Sequence, residues 1–276
     1  MPSPLIPKPA KLINIVPMTV DNYLFEFSFD DENLKKTSPG QFVELWLPGV
    51  GESPISICSA KVNDTLDLLI RRVGRVTNSL YLLKEGSFVG LRGPYGTGFP
   101  VAELVGQNIC LVAGGLGIAP IRSLWQYILN NRQDFKRVVL IYGMRHSDEL
   151  LFRQEFKVLL RRHDFELYLA AEEIDGPGQP AITMQAGRVT DLIRLSNLDE
   201  SFRVAMCGPP IMYQYAIKEL SKKNIGQAKM WLSLERHMKC GIGKCGHCVI
   251  GGTFTCKQGP VFNLSKLKLT PEVIEC

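Results

Sequence analysis

No uninterrupted apolar run in the sequence approaches the ~18 residues that a membrane-crossing helix needs. The nearest stretch, Asn108 to Ile121, is broken by three glycines and a proline. The first ten residues, Met1 to Ala10, hold four prolines and lack the apolar centre of a signal peptide, so an extended arm is expected there rather than a leader. A nucleic-acid footprint is excluded because the net charge of +5 is spread along the chain, without a basic run interleaved with aromatics. No Ser/His/Asp order and no carboxylate pair points to hydrolysis. These absences leave a soluble protein without a membrane span, expected in the cytoplasm, where cysteines stay reduced.

What is present is globular: 45 % hydrophobic and 21 % charged residues over 276 positions, a natural length for two domains and a small appendage. Apolar and polar residues alternate in Asn22–Phe29 and Gln41–Leu47, and further strands are expected at Ile55–Ser59, Thr65–Arg72 and Ser87–Arg92, with a short helix over Val76–Leu83. Short strands at this spacing predict a barrel or sandwich. From Asn108 the rhythm becomes strand, helix, strand, helix. Strands are expected at Asn108–Ala113, Arg137–Tyr142, Phe165–Ala170, Phe202–Met206 and Lys229–Ser233, with helices at Ile118–Asn131, Glu149–Arg161 and Pro210–Lys223. That alternation predicts a parallel sheet with right-handed crossovers. The expected division is an arm over 1–10, a β barrel over 11–100, an α/β domain over 101–228 and a small C-terminal lobe over 229–276.

The densest chemistry lies in the lobe. Cys240, Cys245, Cys248 and Cys256 follow C-x4-C-x2-C-x7-C, with glycines at 241, 243 and 246. Plant-type [2Fe–2S] sites share the C-x4-C-x2-C opening. Four thiolates also satisfy zinc, although structural zinc sites usually come as two C-x2-C pairs and only one occurs here. His237 and His247 flank the set and are not expected to be ligands; Cys58, Cys110 and Cys276 read as ordinary core or surface thiols.

Two glycine turns carry a second signal. Gly114, Gly115 and Gly117, running into Ile118, join a buried strand to a helix, where unpaired backbone N–H groups suit a pyrophosphate. Pro120 replaces the third glycine of the dinucleotide fingerprint. Cys207, Gly208 and Pro209 stand at a second strand's end about ninety residues later, and ligands of parallel sheets bind outside such ends. In the strand-rich half, Arg71, Arg72, Gly74 and Thr77 offer the cations, glycine and hydroxyl that a phosphate takes.

In this order the motifs resemble the ferredoxin–NADP reductase superfamily, and within it the electron-transfer subunits typified by that of dihydroorotate dehydrogenase B. Ser233 to Cys248, then Cys256-Lys-Gln-Gly-Pro-Val-Phe262, look most like the gamma subunit of cytoplasmic nickel–iron hydrogenases and the equivalent electron-transfer subunit of anaerobic sulfite reductase. The resemblance implies an FAD-binding barrel, a module for NAD or NADP and a [2Fe–2S] lobe serving the catalytic and iron–sulfur subunits of a larger redox complex. It places the flavin beside Pro54, Ile55 and Ser56, with Ser53 where relatives carry arginine, and continues its site through Ile70, Arg71, Arg72, Gly74, Val76 and Thr77. Gly114, Gly115, Gly117, Ile118, Arg145, Cys207, Gly208 and Pro209 would hold the nicotinamide nucleotide, and the four cysteines the metal.

Overall fold

The computed structural model describes residues 3–60, 64–174 and 182–267. Two compact units divide them: one runs to Phe99 and takes in Arg122–Tyr127 and Leu234–Val261, and the other comprises Pro100–Ile121, Ile128–Ser233 and the residues from Phe262 onward.

In the first unit, β1 (Lys8–Pro17), β2 (Asn22–Phe29), β3 (Phe42–Leu47), β4 (Gly51–Ser56), β5 (Thr65–Arg71) and β6 (Phe88–Tyr95) form one sheet, with a short helix α1 (Arg75–Leu80) after β5. Its order is β4-β3-β6-β1-β2-β5. A bridge between Ile57 and Leu68 brings the two edge strands together, which closes the sheet into the expected barrel. Alternation fills its interior: Phe25, Phe27 and Phe29 of β2 face Val43, Leu45 and Leu47 of β3 in one core. Each phenylalanine contributes roughly 1.5–3 kcal/mol by leaving water.

Two expectations shift here. The strand placed at Ile55–Ser59 begins earlier, at Gly51, because its register is set by pairing Ser53, Pro54 and Ile55 with β3. The arm is also shorter than expected, since β1 already starts at Lys8 and pairs with both β2 and β6.

The second unit holds a short helix α2 (Val101–Leu104), then β7 (Asn108–Gly114), α3 (Ile118–Asn130), β8 (Val138–His146), α4 (Arg153–Leu159), β9 (Glu166–Glu173), β10 (Gln185–Ala186), α5 (Val189–Leu195), β11 (Phe202–Cys207), α6 (Pro210–Lys222) and β12 (Met230–Ser233). The strands pair in parallel in the order β10-β9-β8-β7-β11-β12. The chain moves outward from β7 to β10 and returns on the other side through β11, so the order reverses between β7 and β11. That switch point opens a crevice at the strands' carboxyl ends.

Helix α4 is shorter than the pattern Glu149–Arg161. Leu150, Leu151 and Phe152 are buried outside it, and Phe152 takes a left-handed conformation (φ 53°) at its start. Packing overrides propensity there. Helix α5 was not expected. The Gly/Pro-rich loop read as Asp175–Gly187 falls partly outside the described residues, as does Cys276.

Residues 234–261 add β13 (Val249–Ile250), β14 (Thr253–Phe254) and α7 (Thr255–Gln258), and β15 (Val261–Asn263) then pairs onto the parallel sheet at β12. The cysteine lobe therefore belongs to the barrel's unit, although about 140 residues of sequence intervene.

Candidate redox site

The cysteines sit in a segment with little regular structure because its backbone must curl around its own sulfurs. Gly241 and Gly243 adopt φ of 73° and 70°, which disfavour any side chain. A Cβ on Gly241 would also lie 2.6 Å from the Tyr95 ring. This curl aims N–H groups at sulfur: Gly243 donates to Cys256 Sγ at 3.2 Å and Lys244 to Cys240 Sγ at 3.4 Å. Burial opposes ionisation of Cys240, but N–H groups of Lys244, Ile242 and Cys245 outweigh it and bring that thiol down to about 6. Burial, with Cys248 alongside, pushes Cys256 up to about 12.

Side-chain hydrogen bonds join Cys240 to Cys245 and Cys248 to Cys256. Four thiols held within one short loop are a donor set that an iron–sulfur centre or a zinc ion would take, and the C-x4-C-x2-C opening favours the former. Burial is graded as well. Cys248 and Cys256 are 1 % exposed, whereas Cys245 is exposed among Lys244, Gly246 and His247. His237 and His247 both face outward.

Phe42 and Tyr95 of the barrel pack with Met238, Cys248 and Cys256 in one apolar cluster. Beside it Arg92, 4 % exposed, holds Glu52 through two bonds of 2.6 Å. Its guanidinium also donates to the carbonyls of Cys240 (2.8 Å) and Lys239 (2.5 Å). Glu44 stands opposite Arg92 in the ladder and opposite Pro54 on its other side. It is fully buried, and neither carboxylate oxygen has a hydrogen-bond partner among the described residues. Burial raises its pKa to about 8, against the pull of Arg92 and with Glu52 and Cys240 adding to the rise.

At the other side of β4, Ile55 and Val76 are partly buried against the barrel core, while Arg71 and Arg72 are exposed nearby. Pro54 and Ser56 are half-buried, and Ile70 is fully inside, so its side chain serves the core. An apolar shelf edged with cations fits a flavin's ring and phosphates. Two expected phosphate ligands have other partners: Arg71 bonds Asp21 at 2.9 Å and Arg72 lies 5.9 Å from the Tyr81 ring centre. Thr77 Oγ accepts the N–H of Gly74 at 2.9 Å, closing the start of α1. Arg75, not anticipated from sequence, brings its guanidinium over Gly51 at the head of β4.

In the parallel sheet, the two glycine turns meet at the switch point. A Cβ on Gly117 would lie 2.3 Å from the Cys207 carbonyl oxygen, and one on Gly114 would lie 2.7 Å from Met212 Sδ. Ile118 and Cys207 are buried, so their side chains face the core. A cavity of about 310 Å³ opens there, lined among others by Gly114, Gly115, Pro209 and Met212 and by Arg145, Glu172 and Arg188. Arg188 sits 3.4 Å from Glu172. Replacing Gly117 by Ala should cost roughly 1–3 kcal/mol through overpacking against backbone and weaken NADH and NADPH binding at least tenfold. Thermal melts and calorimetric titration check this.

Residues 111–218 match the oxidoreductase NAD-binding domain, and residues 235–268 match the iron–sulfur cluster binding domain of dihydroorotate dehydrogenase B. A solved structure described as an NADH-dependent reduced ferredoxin–NADP oxidoreductase superposes with a TM-score of 0.72 at 22 % identity, covering 96 % of each chain. Fold and domains define an oxidoreductase of ferredoxin–NADP reductase-like architecture carrying a nicotinamide-nucleotide domain and an iron–sulfur domain. Among curated relatives, the sulfhydrogenase 2 subunit gamma of Pyrococcus furiosus is 38 % identical over 92 % of this chain and 93 % of its own. The probable dihydroorotate dehydrogenase B electron-transfer subunit of the same organism is 36 % identical over 83 % and 81 %. The chain belongs to this family of electron-transfer subunits. No helix among the described residues is long and apolar enough to cross a membrane.

Proposed function

We propose that this chain passes electrons between NAD(P)(H), FAD and a [2Fe–2S] cluster on Cys240, Cys245, Cys248 and Cys256, to or from the catalytic subunit of a cytoplasmic nickel–iron hydrogenase. The observation that carries this reading is the graded burial of the four cysteines within the barrel's own unit. Two ligands lie against Phe42 and Tyr95, while Cys245 meets solvent. One end of the site thus faces the barrel and the other faces outward, among Lys239, Lys244 and Lys257, all exposed. An acidic docking surface on the partner complements those lysines.

When bound, the cofactors supply hydride chemistry at the nicotinamide, one-electron chemistry at the iron–sulfur centre and a flavin competent in both. The protein's part is placement. Gly114, Gly115 and Pro209 admit the nucleotide's phosphates close to backbone. Arg145 and Arg188 line the same cavity. Pro54, Ile55 and Ser56 present a shelf to the flavin, and Arg75, at the head of β4, takes the place of Arg71 and Arg72, which are engaged by Asp21 and Tyr81, as the cation for its phosphates. The partner assignment draws support from the sulfhydrogenase relative, matched over nearly its whole length.

Purified anaerobically, the protein should be yellow-brown, with flavin bands and broad iron–sulfur absorption that bleach on adding NADH or NADPH. A colourless protein containing one zinc and no iron overturns the reading. Copurification from the native source decides the partner: a hydrogenase subunit supports the proposal, and a sulfite reductase or dihydroorotate dehydrogenase subunit replaces it.

A further inference from the structure

Arg92 is the barrel residue with the most demanding set of partners near the cysteines. Its side chain is 4 % exposed, so every donor must be met inside the protein. Nε and Nη2 clasp the two oxygens of Glu52 at 2.6 Å each. Nη1 reaches the Tyr95 hydroxyl at 3.2 Å and the Cys240 carbonyl at 2.8 Å, and Nη2 also reaches the Lys239 carbonyl at 2.5 Å. Glu52 stands on β4 two residues before Pro54, the first residue of the flavin shelf. Cys240 is the first cysteine of the metal loop. One planar cation therefore ties the strand bearing the flavin shelf to the backbone of a metal ligand.

Tyr95 reinforces the same junction. Its hydroxyl donates to the Pro4 carbonyl at 2.5 Å, its ring lies 5.7 Å from that of Phe42, and it closes the space beside Gly241. Glu44, across the ladder from Arg92, has no hydrogen-bond partner among the described residues. The buried charge on Arg92 is thus matched by Glu52 alone through hydrogen bonds. Lysine cannot replace this arrangement, because it lacks the coplanar fork that binds a carboxylate through two bonds while further donors reach two carbonyls.

We propose that Arg92 is a positioning residue for electron transfer: it fixes the Lys239–Cys240 backbone at a set distance from the flavin strand and, balanced by Glu52, sets the charge at the inner edge of the cluster. The inference rests on the cofactor assignment above. Electron transfer falls steeply with distance, so loss of the fork slows the step between flavin and cluster. Loss of either charge moves the cluster's potential, in opposite directions for the two partners.

The test uses the full chain with its cofactors, after iron and flavin have been measured in each preparation. In an EPR-monitored redox titration, Arg92→Gln should lower the cluster's potential by about 59 mV or more, a tenfold change in a one-electron equilibrium. Glu52→Gln should raise it. In stopped-flow mixing with NADH or NADPH, Arg92→Lys should reduce flavin at the wild-type rate and cluster at least tenfold more slowly. Unchanged potentials, or shifts of the same sign in Arg92→Gln and Glu52→Gln, overturn the proposal, because a purely structural role lowers stability without that opposition. If the Arg92 variants do not fold, Glu52→Gln alone decides, since the remaining bonds of Arg92 persist there. Wild-type protein lacking iron or flavin defeats the earlier assignment instead.

Discussion

Replacing Cys245 by Ser should strip iron from the protein while flavin stays bound. Cys245 is hydrogen-bonded to Cys240 and is the exposed member of the set, so in the proposed ligand set its loss would leave three thiolates and open the site toward solvent. Serine's hydroxyl is a harder and much less acidic donor than a thiol, and iron–sulfur centres rest on thiolates. The flavin shelf on β4 packs into a barrel core that contains none of the four cysteines. Broad visible absorption and the EPR signal should vanish, flavin bands should remain, and electrons from NADH or NADPH should no longer reach the partner. The matching control is Cys58→Ser: Cys58 is buried just after β4, where its thiol donates to the Asp67 carbonyl and its own carbonyl accepts from Arg122, and its replacement should keep full iron. Unchanged iron in Cys245→Ser would remove Cys245 from the ligand set.

The second large effect concerns Glu44. Its folded pKa of about 8 lies above the free value of 4.5, so the folded state holds the extra proton between these limits. Unfolding free energy should therefore fall as pH rises across that window, by about 1.4 kcal/mol per unit and up to about 5 kcal/mol in all. Glu44→Gln keeps the shape and cannot ionise. The two proteins should have similar stability near pH 5, and the variant should be the more stable above pH 8. Denaturant unfolding at matched iron and flavin content, across pH 5 to 9, measures the difference. Parallel stability curves would mean that Glu44 ionises in the folded protein as it does in water.

Much of this architecture was legible because local pattern and tertiary role coincide. Alternation along Asn22–Phe29 placed Phe25, Phe27 and Phe29 inside the barrel, and the glycine turns at Gly114–Gly117 and Cys207–Pro209 marked the two strand ends that meet. The cysteine spacing marked the loop in which the four thiols lie close together. What stayed hidden depends on surfaces covered from far along the chain. In Gln41–Leu47 the same alternation assigns Glu44 to water with Trp46, yet Glu44 is fully buried while Trp46 is 37 % exposed. Its face of β3 is the one on which Phe42 meets the cysteine lobe. Arg92 sits in a strand whose pattern gives no hint that its partners would be carbonyls near a cysteine. Arg188 and Met212 were missed for the same reason, since only the folded sheet brings them to the glycine turns.

The bond from Arg92 to Cys240 spans 148 positions of sequence, and that separation orders assembly in time. The barrel's hairpins need only neighbours, whereas contacts between distant segments form late because closing so long a loop costs entropy before any contact rewards it. Until then Phe42, Glu44 and Tyr95 lie uncovered, and the thiols are loose and open to oxidation. The proposed metal loop is therefore complete only once that long loop has closed.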